Sequence, residues 1–217
     1  MTITLYSGTP GSGKSLHATK AIRDSLNYKK PVIANYSLNC EVKGFNCFSY
    51  CPNDALTPQY LKDYAIGYWS EGGRRFKEDH ILLVIDECQL IFNSREWQAK
   101  NRADWLEFFS QHRKYGYEII FIAQFDRMID RQIRSLIEYE VIHRRLGNFG
   151  IKGKIMTLLA LGEVFIAVKR FYPLNERTGV SMFRVRKSIY RMYDSYAAFR
   201  RDPQGVGGSP AGAAGAP

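Results

Sequence analysis

The residues best suited to chemistry lie near the start of the chain, where residues 8–15 fit the pattern G-x-x-x-x-G-K-[ST] at every fixed position. Glycines let such a loop curl so that successive N–H groups converge on a phosphate, and the helix that follows adds its positive dipole end. Lys14 is expected to reach the β- and γ-phosphates, and the Ser15 hydroxyl to hold Mg²⁺. The sequence therefore predicts binding of a nucleoside triphosphate.

The context of this loop supports the prediction. The loop follows an apolar, β-prone run at residues 3–6 and precedes a helix-like run at residues 16–22. The alternative is a glycine-rich turn that fits the pattern by chance. We assign the nucleotide contacts to the loop and its exit: Gly8, Thr9, Pro10, Gly11, Ser12, Gly13, Lys14, Ser15 and Leu16.

A second group of chemical residues follows the apolar run 81–85, which leads directly into Asp86 and Glu87. Five consecutive apolar residues are typical of a parallel strand that is covered on both faces. At the end of such a strand, Asp86 would order the Mg²⁺ shell, and Glu87 would polarise the water that attacks the γ-phosphate. The pair indicates a hydrolase; an edge strand that ends in two solvated acids is the alternative.

A third polar position ends the apolar run 117–124. In a parallel sheet, Gln124 would lie near the Asp86 end, where it would contact the γ-phosphate or the attacking water. Lys14, Glu87 and Gln124 are therefore our candidate catalytic residues, and Ser15 and Asp86 our candidate metal ligands.

The elements that must position these residues alternate between strand and helix. Predicted strands occupy 3–6, 32–36, 45–50, 81–85 and 117–124, and predicted helices run from the loop to 27, over 58–69 and over 97–115. This alternation is the signature of an α/β fold: a mainly parallel sheet flanked by helices, with its ligand at the carboxyl ends of the strands.

The chain changes character after residue 126. A charged helical turn is predicted over 126–137, and strands over Tyr139–Arg145, 154–161, Val164–Phe171 and 182–186, with turns at 147–150 and 175–179. We interpret residues 1–201 as one domain, with 127–201 as its basic, β-rich second half. Residues 202–217 are rich in Gly, Ala and Pro and are expected to form a flexible linker or tail.

The excess positive charge is concentrated in this second half. The net charge is +10; residues 1–126 carry 15 basic and 14 acidic side chains, whereas residues 127–201 carry 16 and 6. A localised basic surface suits nucleic acid, anionic lipid or an acidic protein partner. Strands with one basic face can lie along a polyanion; an antiparallel extension with ordinary charged edges is the alternative.

The cysteines and the hydropathy indicate in which cellular compartment the chain is expected. Cys40, Cys47, Cys51 and Cys88 contain no C-x-x-C pair and have no histidine nearby, so ordinary thiols are favoured over a zinc site. The absence of a leader before the first strand predicts a cytoplasmic domain. No run of about 20 apolar residues is present to span a bilayer.

The two nucleotide motifs are shared by phosphate-loop ATPases in general. A more specific pattern is the segment 109–116 (FSQHRKYG) followed by a strand that ends in Gln124. Together with residues 8–15 and Asp86-Glu87, this pattern makes residues 1–195 resemble the N-terminal domain of the zonular occludens toxin (Zot) family. This family includes the inner-membrane assembly ATPases of filamentous bacteriophages. The resemblance implies an ATPase that uses ATP and Mg²⁺ to drive phage assembly and extrusion.

The same resemblance implies partners and a location. Expected partners are further copies of the chain in a homo-oligomer such as a ring, phage assembly or coat proteins, and single-stranded DNA. Membrane association would come through a segment not present in this chain, with the domain on the cytoplasmic side of the host inner membrane. An arginine is expected to reach the γ-phosphate of a neighbouring subunit. The candidates are Arg113, Arg127, Arg131 and Arg134, and of these we place Arg113 among the catalytic residues.

Two other functions use the same loop. A nucleotide-gated scaffold or toxin-like effector would bind ATP without turnover. A small-molecule kinase would need an arginine-bearing lid, for which the segment Gly72-Gly73-Arg74-Arg75 is the one candidate. Because Asp86-Glu87 favours water as the acceptor, the ATPase is the leading hypothesis.

Overall fold

A single mixed sheet organises the molecule. The computed structural model describes residues 2–39, 44–93, 99–148, 163–184 and 187–193. The strands in this part of the chain are β1 (Ile3–Ser7), β2 (Val32–Ala34), β3 (Phe48–Tyr50), β4 (Ile81–Ile85), β5 (Tyr117–Ile122), β6 (Tyr139–Arg145), β7 (Val164–Phe171) and β8 (Glu176–Arg184). The helices are α1 (Lys14–Asn27), α2 (Pro58–Ser70), α3 (Ala99–Tyr115), α4 (Arg131–Arg134) and α5 (Lys187–Met192).

The strand order is β3-β2-β4-β5-β1-β6-β7-β8. The first six strands run parallel, whereas β7 and β8 extend the sheet as an antiparallel pair. The predicted α/β class, with a mainly parallel sheet and a β-rich extension, is confirmed. Since β5 separates β1 from β4, the carboxyl end of β5 lies between the phosphate loop and Asp86.

Both faces of the sheet are covered, because alternate strand residues pack against different helices. Leu5, Leu83 and Phe121 contact the side of α2 and α3, where Phe108 and Phe109 are buried. The strand residues that alternate with these point to the opposite face of the sheet, where they pack against α1 and α5 in a second buried cluster. All of β4 is buried, as the apolar run predicted.

Local sequence sets the ends of the helices. Thr57 accepts a hydrogen bond from the Tyr60 N–H and Pro58 stands in the first turn, which together define the start of α2. Gly116 takes a left-handed φ of 81° after α3 and connects this helix directly to β5.

The turn between β7 and β8 differs from the sequence expectation. We predicted a turn at 175–179, but the turn occupies 172–175 and β8 begins at Glu176. Asn175 supplies the left-handed residue, with φ 56°, and the pairing register of β7 with β8 shifts by one residue between Lys169 and Arg170. The predicted helical turn over 126–137 is a short 3₁₀ segment, Asp126–Met128, followed by α4.

Some expectations fall outside the described residues: the strand at 154–161, part of the turn at 147–150, the end of the strand at 182–186, Cys40 and the tail 202–217. Cys47, Cys51 and Cys88 are free thiols, and no metal-binding group of His, Cys, Asp and Glu forms within the described ranges. Among these same residues, no helix has the length and hydropathy needed to cross a bilayer.

Candidate nucleotide site

The loop between β1 and α1 depends on three glycines with positive φ. Gly8, Gly11 and Gly13 have φ of 141°, 72° and 92°. A Cβ on Gly8 would lie 2.5 Å from the His143 carbonyl oxygen, and one on Gly13 would lie 2.5 Å from Cδ1 of Phe165. The loop therefore needs glycine for its own curvature and for the close approach of β6 and β7.

The interior of the loop is suited to an anion. Lys14 Nζ donates to the carbonyl oxygens of Gly8 at 2.7 Å and Thr9 at 3.1 Å. Within the described residues, the buried Ser12 hydroxyl has no hydrogen-bond partner. Burial lowers the pKa of Lys14, and the nearby carboxylates of Glu87 and Asp86 oppose that shift. This cradle of donors fits a phosphate group.

Asp86 connects the loop to β4. Its Oδ2 accepts from the Ser15 hydroxyl at 3.1 Å, and its Oδ1 accepts from the backbone N–H of Glu87 at 2.9 Å. Burial raises the pKa of Asp86, against the effect of these two hydrogen bonds. A hydroxyl and a half-buried carboxylate that already touch are oxygen ligands of the kind Mg²⁺ prefers.

The sequence analysis missed Asn35, which fixes the backbone of Asp86. Asn35 Oδ1 accepts from the Asp86 N–H at 2.7 Å, and its Nδ2 donates to the Asp86 carbonyl at 2.8 Å. Its position just after β2 is the same signal that identified Gln124, a polar residue at the carboxyl end of a parallel strand.

Glu87 is held in an uncommon conformation. Its φ of 47° and ψ of 44° lie in the left-handed region, which a non-glycine residue rarely adopts. The Gln89 amide donates to the Glu87 carboxylate. Local strain of this kind is characteristic of functional sites.

Gln124 follows β5 and lies beside the loop. The Gly8 N–H donates to the Gln124 carbonyl at 3.2 Å. Gln124 lines a cavity of about 290 Å³ together with Ser7, Gly8 and Thr9. Lys14, Ser15, Asp86, Glu87 and Gln124 thus lie at the carboxyl ends of β1, β4 and β5, and their roles stay predictions.

The candidate arginines are placed differently. Arg113 is in the last turn of α3, just before the amino end of β5 and so at the opposite edge of the sheet from the loop; its Nη2 lies 3.8 Å from a Glu138 carboxylate oxygen. Arg127 is at the loop edge, in the wall of a cavity of about 900 Å³ that also includes Gln89. Arg131 is exposed and Arg134 half-buried, both in α4.

On the other side of β1, two buried polar contacts escaped the sequence analysis. His17 Nδ1 lies 2.8 Å from His143 Nε2, which joins α1 to β6. The Glu140 carboxylate accepts from the Ser7 hydroxyl and, at 2.6 Å, from Arg170 Nε of β7. No motif marks these residues, because they meet only through the packing of α1 on β6 and the pairing of β6 with β1 and β7.

The histidine pair is neutral in its environment. Burial, together with the charge of Lys20, lowers the pKa of His17 to about 4, although Asp24 acts in the opposite direction. Burial and the neighbouring His17 lower the pKa of His143 to about 3. One ring must therefore donate to the other in a fixed tautomeric arrangement.

Comparison with known proteins identifies the family of the chain. Residues 2–200 match the sequence profile of the family described as zonular occludens toxin (Zot). The chain belongs to the Zot family. Its loop, its strand order and the carboxylates after β4 make this Zot domain a P-loop NTPase fold.

Two phage proteins and one solved structure represent its relatives. The chain is 31% identical over 216 residues to the Gene 1 protein of Enterobacteria phage I2-2, covering 92% of this chain and 56% of that protein. It is 29% identical over 137 residues to the putative assembly protein ORF301 of Pseudomonas phage Pf3, covering 62% of this chain and 40% of that protein.

The solved structure is the N-terminal domain of zonular occludens toxin from Neisseria meningitidis. It aligns with a TM-score of 0.57 and 18% identity over 89% of this chain and 98% of that one. This likeness is one of fold. The chain spans little more than half the length of the Gene 1 protein that it matches.

Proposed function

We propose that this Zot domain hydrolyses Mg²⁺-ATP. The observation that carries the proposal is the Ser15–Asp86 hydrogen bond of 3.1 Å. This contact joins the phosphate loop to the strand end where Glu87 is held in a strained backbone conformation. A metal-binding pair with an adjacent, oriented carboxylate is the arrangement that directs water, rather than a second substrate, at a phosphate.

We propose the following roles for the residues of the site. The loop N–H groups and Lys14 would stabilise charge on the transferred phosphoryl group, with Lys14 exchanging its bonds to the Gly8 and Thr9 carbonyls for phosphate oxygens. Ser15 and Asp86 would hold Mg²⁺, which neutralises charge between the β- and γ-phosphates. Glu87 would accept a proton from the attacking water, and Gln124 would orient that water.

The biological role we propose is assembly and extrusion of filamentous phage at the cytoplasmic side of the host inner membrane. Family membership and a relative named as a putative assembly protein support it. The protein would act as a homo-oligomer, such as a ring, with phage assembly or coat proteins as partners and attachment through a further membrane segment. Exposed basic side chains of the second half, including Arg144, Arg177 and Arg191, would contact single-stranded DNA.

Steady-state ATP hydrolysis by three proteins tests the chemistry: wild type, Lys14→Ala and Glu87→Gln. We expect Lys14→Ala to lose turnover, and Glu87→Gln to bind ATP like wild type while turnover falls about 10²- to 10⁴-fold. Normal turnover by Glu87→Gln would show that another group activates water. Tight ATP binding by wild type with no Lys14-dependent turnover would favour a nucleotide-gated scaffold.

The motor role needs a second measurement. Turnover is compared with and without single-stranded DNA, while light scattering reports the mass of the particle in the presence of ATP. We expect turnover to rise with DNA and with assembly. A monomeric protein whose turnover rate is the same with and without DNA would contradict the proposed oligomer and the proposed DNA cargo.

A further inference from the structure

A cavity of about 330 Å³ extends from the phosphate loop toward β6, β7 and α5. Its walls near the loop come from Gly13, Lys14, Ser15 and Leu16, its floor comes from Phe165, and its far wall comes from other side chains of the basic second half: Arg145, Glu163, Tyr190 and Tyr193. The volume lies within the roughly 300–1,000 Å³ that is usual for small-molecule sites. None of the proposed catalytic steps uses the far wall.

The sheet order fixes which end of a nucleotide faces this cavity. Asp86 and Glu87 follow β4, which lies beyond β5 on one side of β1, whereas β6 and β7 lie on the other side. With the hydrolysed phosphate directed at Glu87, the nucleoside end of the same ligand points away from β4. It therefore enters the space under Arg145 and Tyr190.

The far wall offers the chemistry that flat heteroaromatic rings bind. The Tyr190 side chain is 42% exposed, which is a large accessible area for an aromatic ring, and its hydroxyl donates to Glu163 Oε2 at 3.2 Å. The Arg145 guanidinium also pairs with Glu163. One carboxylate thus orients a tyrosine ring and a guanidinium plane, both of which stack on bases.

The floor of the cavity is rigid and apolar. Phe165 is buried, its ring lies against Gly13, and it stacks on Phe183 with 5.5 Å between ring centroids. A ligand that enters beside Lys14 therefore meets a packed aromatic surface directly under the polar side chains of the far wall. This combination of an apolar floor and a few fixed polar groups is typical of a specific subsite.

We propose that Arg145, Glu163 and Tyr190 form the subsite for the nucleobase of the bound triphosphate, with the base stacked on the Tyr190 ring. The inference rests on the proposed ATPase function and adds the half of the ligand that the loop does not contact. The Glu163 carboxylate contacts both of the other side chains, and the ring of Tyr190 supplies the stacking surface.

Isothermal titration with two probes tests the subsite. ATP carries the base, and inorganic tripolyphosphate carries the same phosphate chain without it. The proteins are wild type, Tyr190→Ala, Tyr190→Phe and a control, Tyr28→Ala, whose ring is 79% exposed and lies at the far end of α1. We expect Tyr190→Ala to weaken ATP binding about fivefold to a hundredfold, the range for loss of one stacked ring, and to leave tripolyphosphate binding unchanged.

Tyr190→Phe separates stacking from local structure. This variant keeps the ring and loses only the bond to Glu163, so its ATP affinity should stay within about threefold of wild type, like that of Tyr28→Ala. Equal ATP affinity in wild type and Tyr190→Ala would overturn the proposed subsite. So would a Tyr190→Ala variant whose affinities for ATP and for tripolyphosphate fall by the same factor. If wild type binds neither probe, the proposed ATPase function fails instead.

Discussion

The two sides of β1 differ in how they are built. Toward β5 and β4, polar residues stand just after parallel strands, as Asp86 does after β4, where it accepts a hydrogen bond from Ser15. Toward β6 and β7, the polar contacts are buried pairs between strands, such as Glu140 with Arg170. The β5 side thus places polar groups beside the phosphate loop, whereas the β6 side encloses the loop with paired buried groups.

The comparison shows that the conformation of this phosphate loop depends on its own residues and also on residues distant in the sequence. Its curvature comes from its own glycines, but its walls include the carbonyl of His143 and the ring of Phe165. Substitutions on the β5 side should therefore change turnover with little effect on stability, and those on the β6 side should change stability first.

The largest effect is expected for Arg170→Ala. The Glu140 side chain is 4% exposed, so removal of its cation leaves a buried carboxylate with only the Ser7 hydroxyl. Unfolding free energy should fall by about 3–5 kcal/mol, measured by urea denaturation. The exposed pair Lys20–Asp24 gives the control, Lys20→Ala, which should cost less than about 1 kcal/mol.

A double variant sharpens that result. Glu140→Gln in the Arg170→Ala background removes the unpaired charge and should recover part of the lost stability. If Arg170→Ala unfolds at the same urea concentration as Lys20→Ala, the buried pair is not what holds β7 to the loop strand.

The histidine pair on the β6 side predicts a pH dependence of the stability. The folded pKa of His17 is about 4, below its ordinary 6.5, so the unfolded chain takes up protons first as the pH falls. Stability is therefore full above about pH 6.5 and declines toward pH 4, by on the order of 3 kcal/mol for the first proton. Urea denaturation between pH 7 and pH 4 measures the decline.

His17→Phe is the control for this dependence. A phenyl ring keeps the stacking with Tyr6 and Phe183 and removes one titrating group, so the loss of stability below pH 6 should be smaller than in wild type. An unchanged pH profile would place the responsible groups elsewhere.

On the β5 side, Gln124→Ala should lower kcat about a hundredfold, the effect of removing one fixed hydrogen-bonding group from a reacting centre. Its backbone bond to Gly8 is retained, so the urea midpoint should match wild type. A matching loss of stability would break the distinction between the two sides.

The smallest expected effect is a difference in ATP affinity between substitutions at two glycines of the loop. Gly13→Ala meets the Phe165 ring, whereas Gly11→Ala meets nothing within 4 Å; both keep an unfavourable positive φ. ATP affinity should fall about tenfold further in Gly13→Ala than in Gly11→Ala, since close-packed rings resist displacement. Equal losses in titration calorimetry would mean that strain alone matters at both positions.

The contrast also explains what the sequence could predict. The loop, β4 with Asp86-Glu87, and Gln124 are signalled by residues adjacent in the chain, and parallel strands bring their carboxyl ends to one edge. Asn35 follows the same rule and could have been found. Glu140 and Arg170 could not, because their contact depends on the register of β6 with β7.

The predicted turn at 175–179 failed for a related reason. Asn175 and Gly179 both favour turns, but a displaced pairing at Lys169/Arg170 lets β8 start at Glu176 and include Gly179. Pairing with β7 decides the conformation there, and local propensity is secondary.

The contact between Gly13 and Phe165 has a practical meaning for how the protein can be divided. The nucleotide motifs are complete by Gln124, so a fragment that ends there would contain every signature residue of an ATPase. Such a fragment would lack the ring that closes the loop from the side. A piece that keeps the loop closed extends at least through Phe171, and a gene fusion or a proteolytic cut before that point would separate the motif from the ring that packs against it.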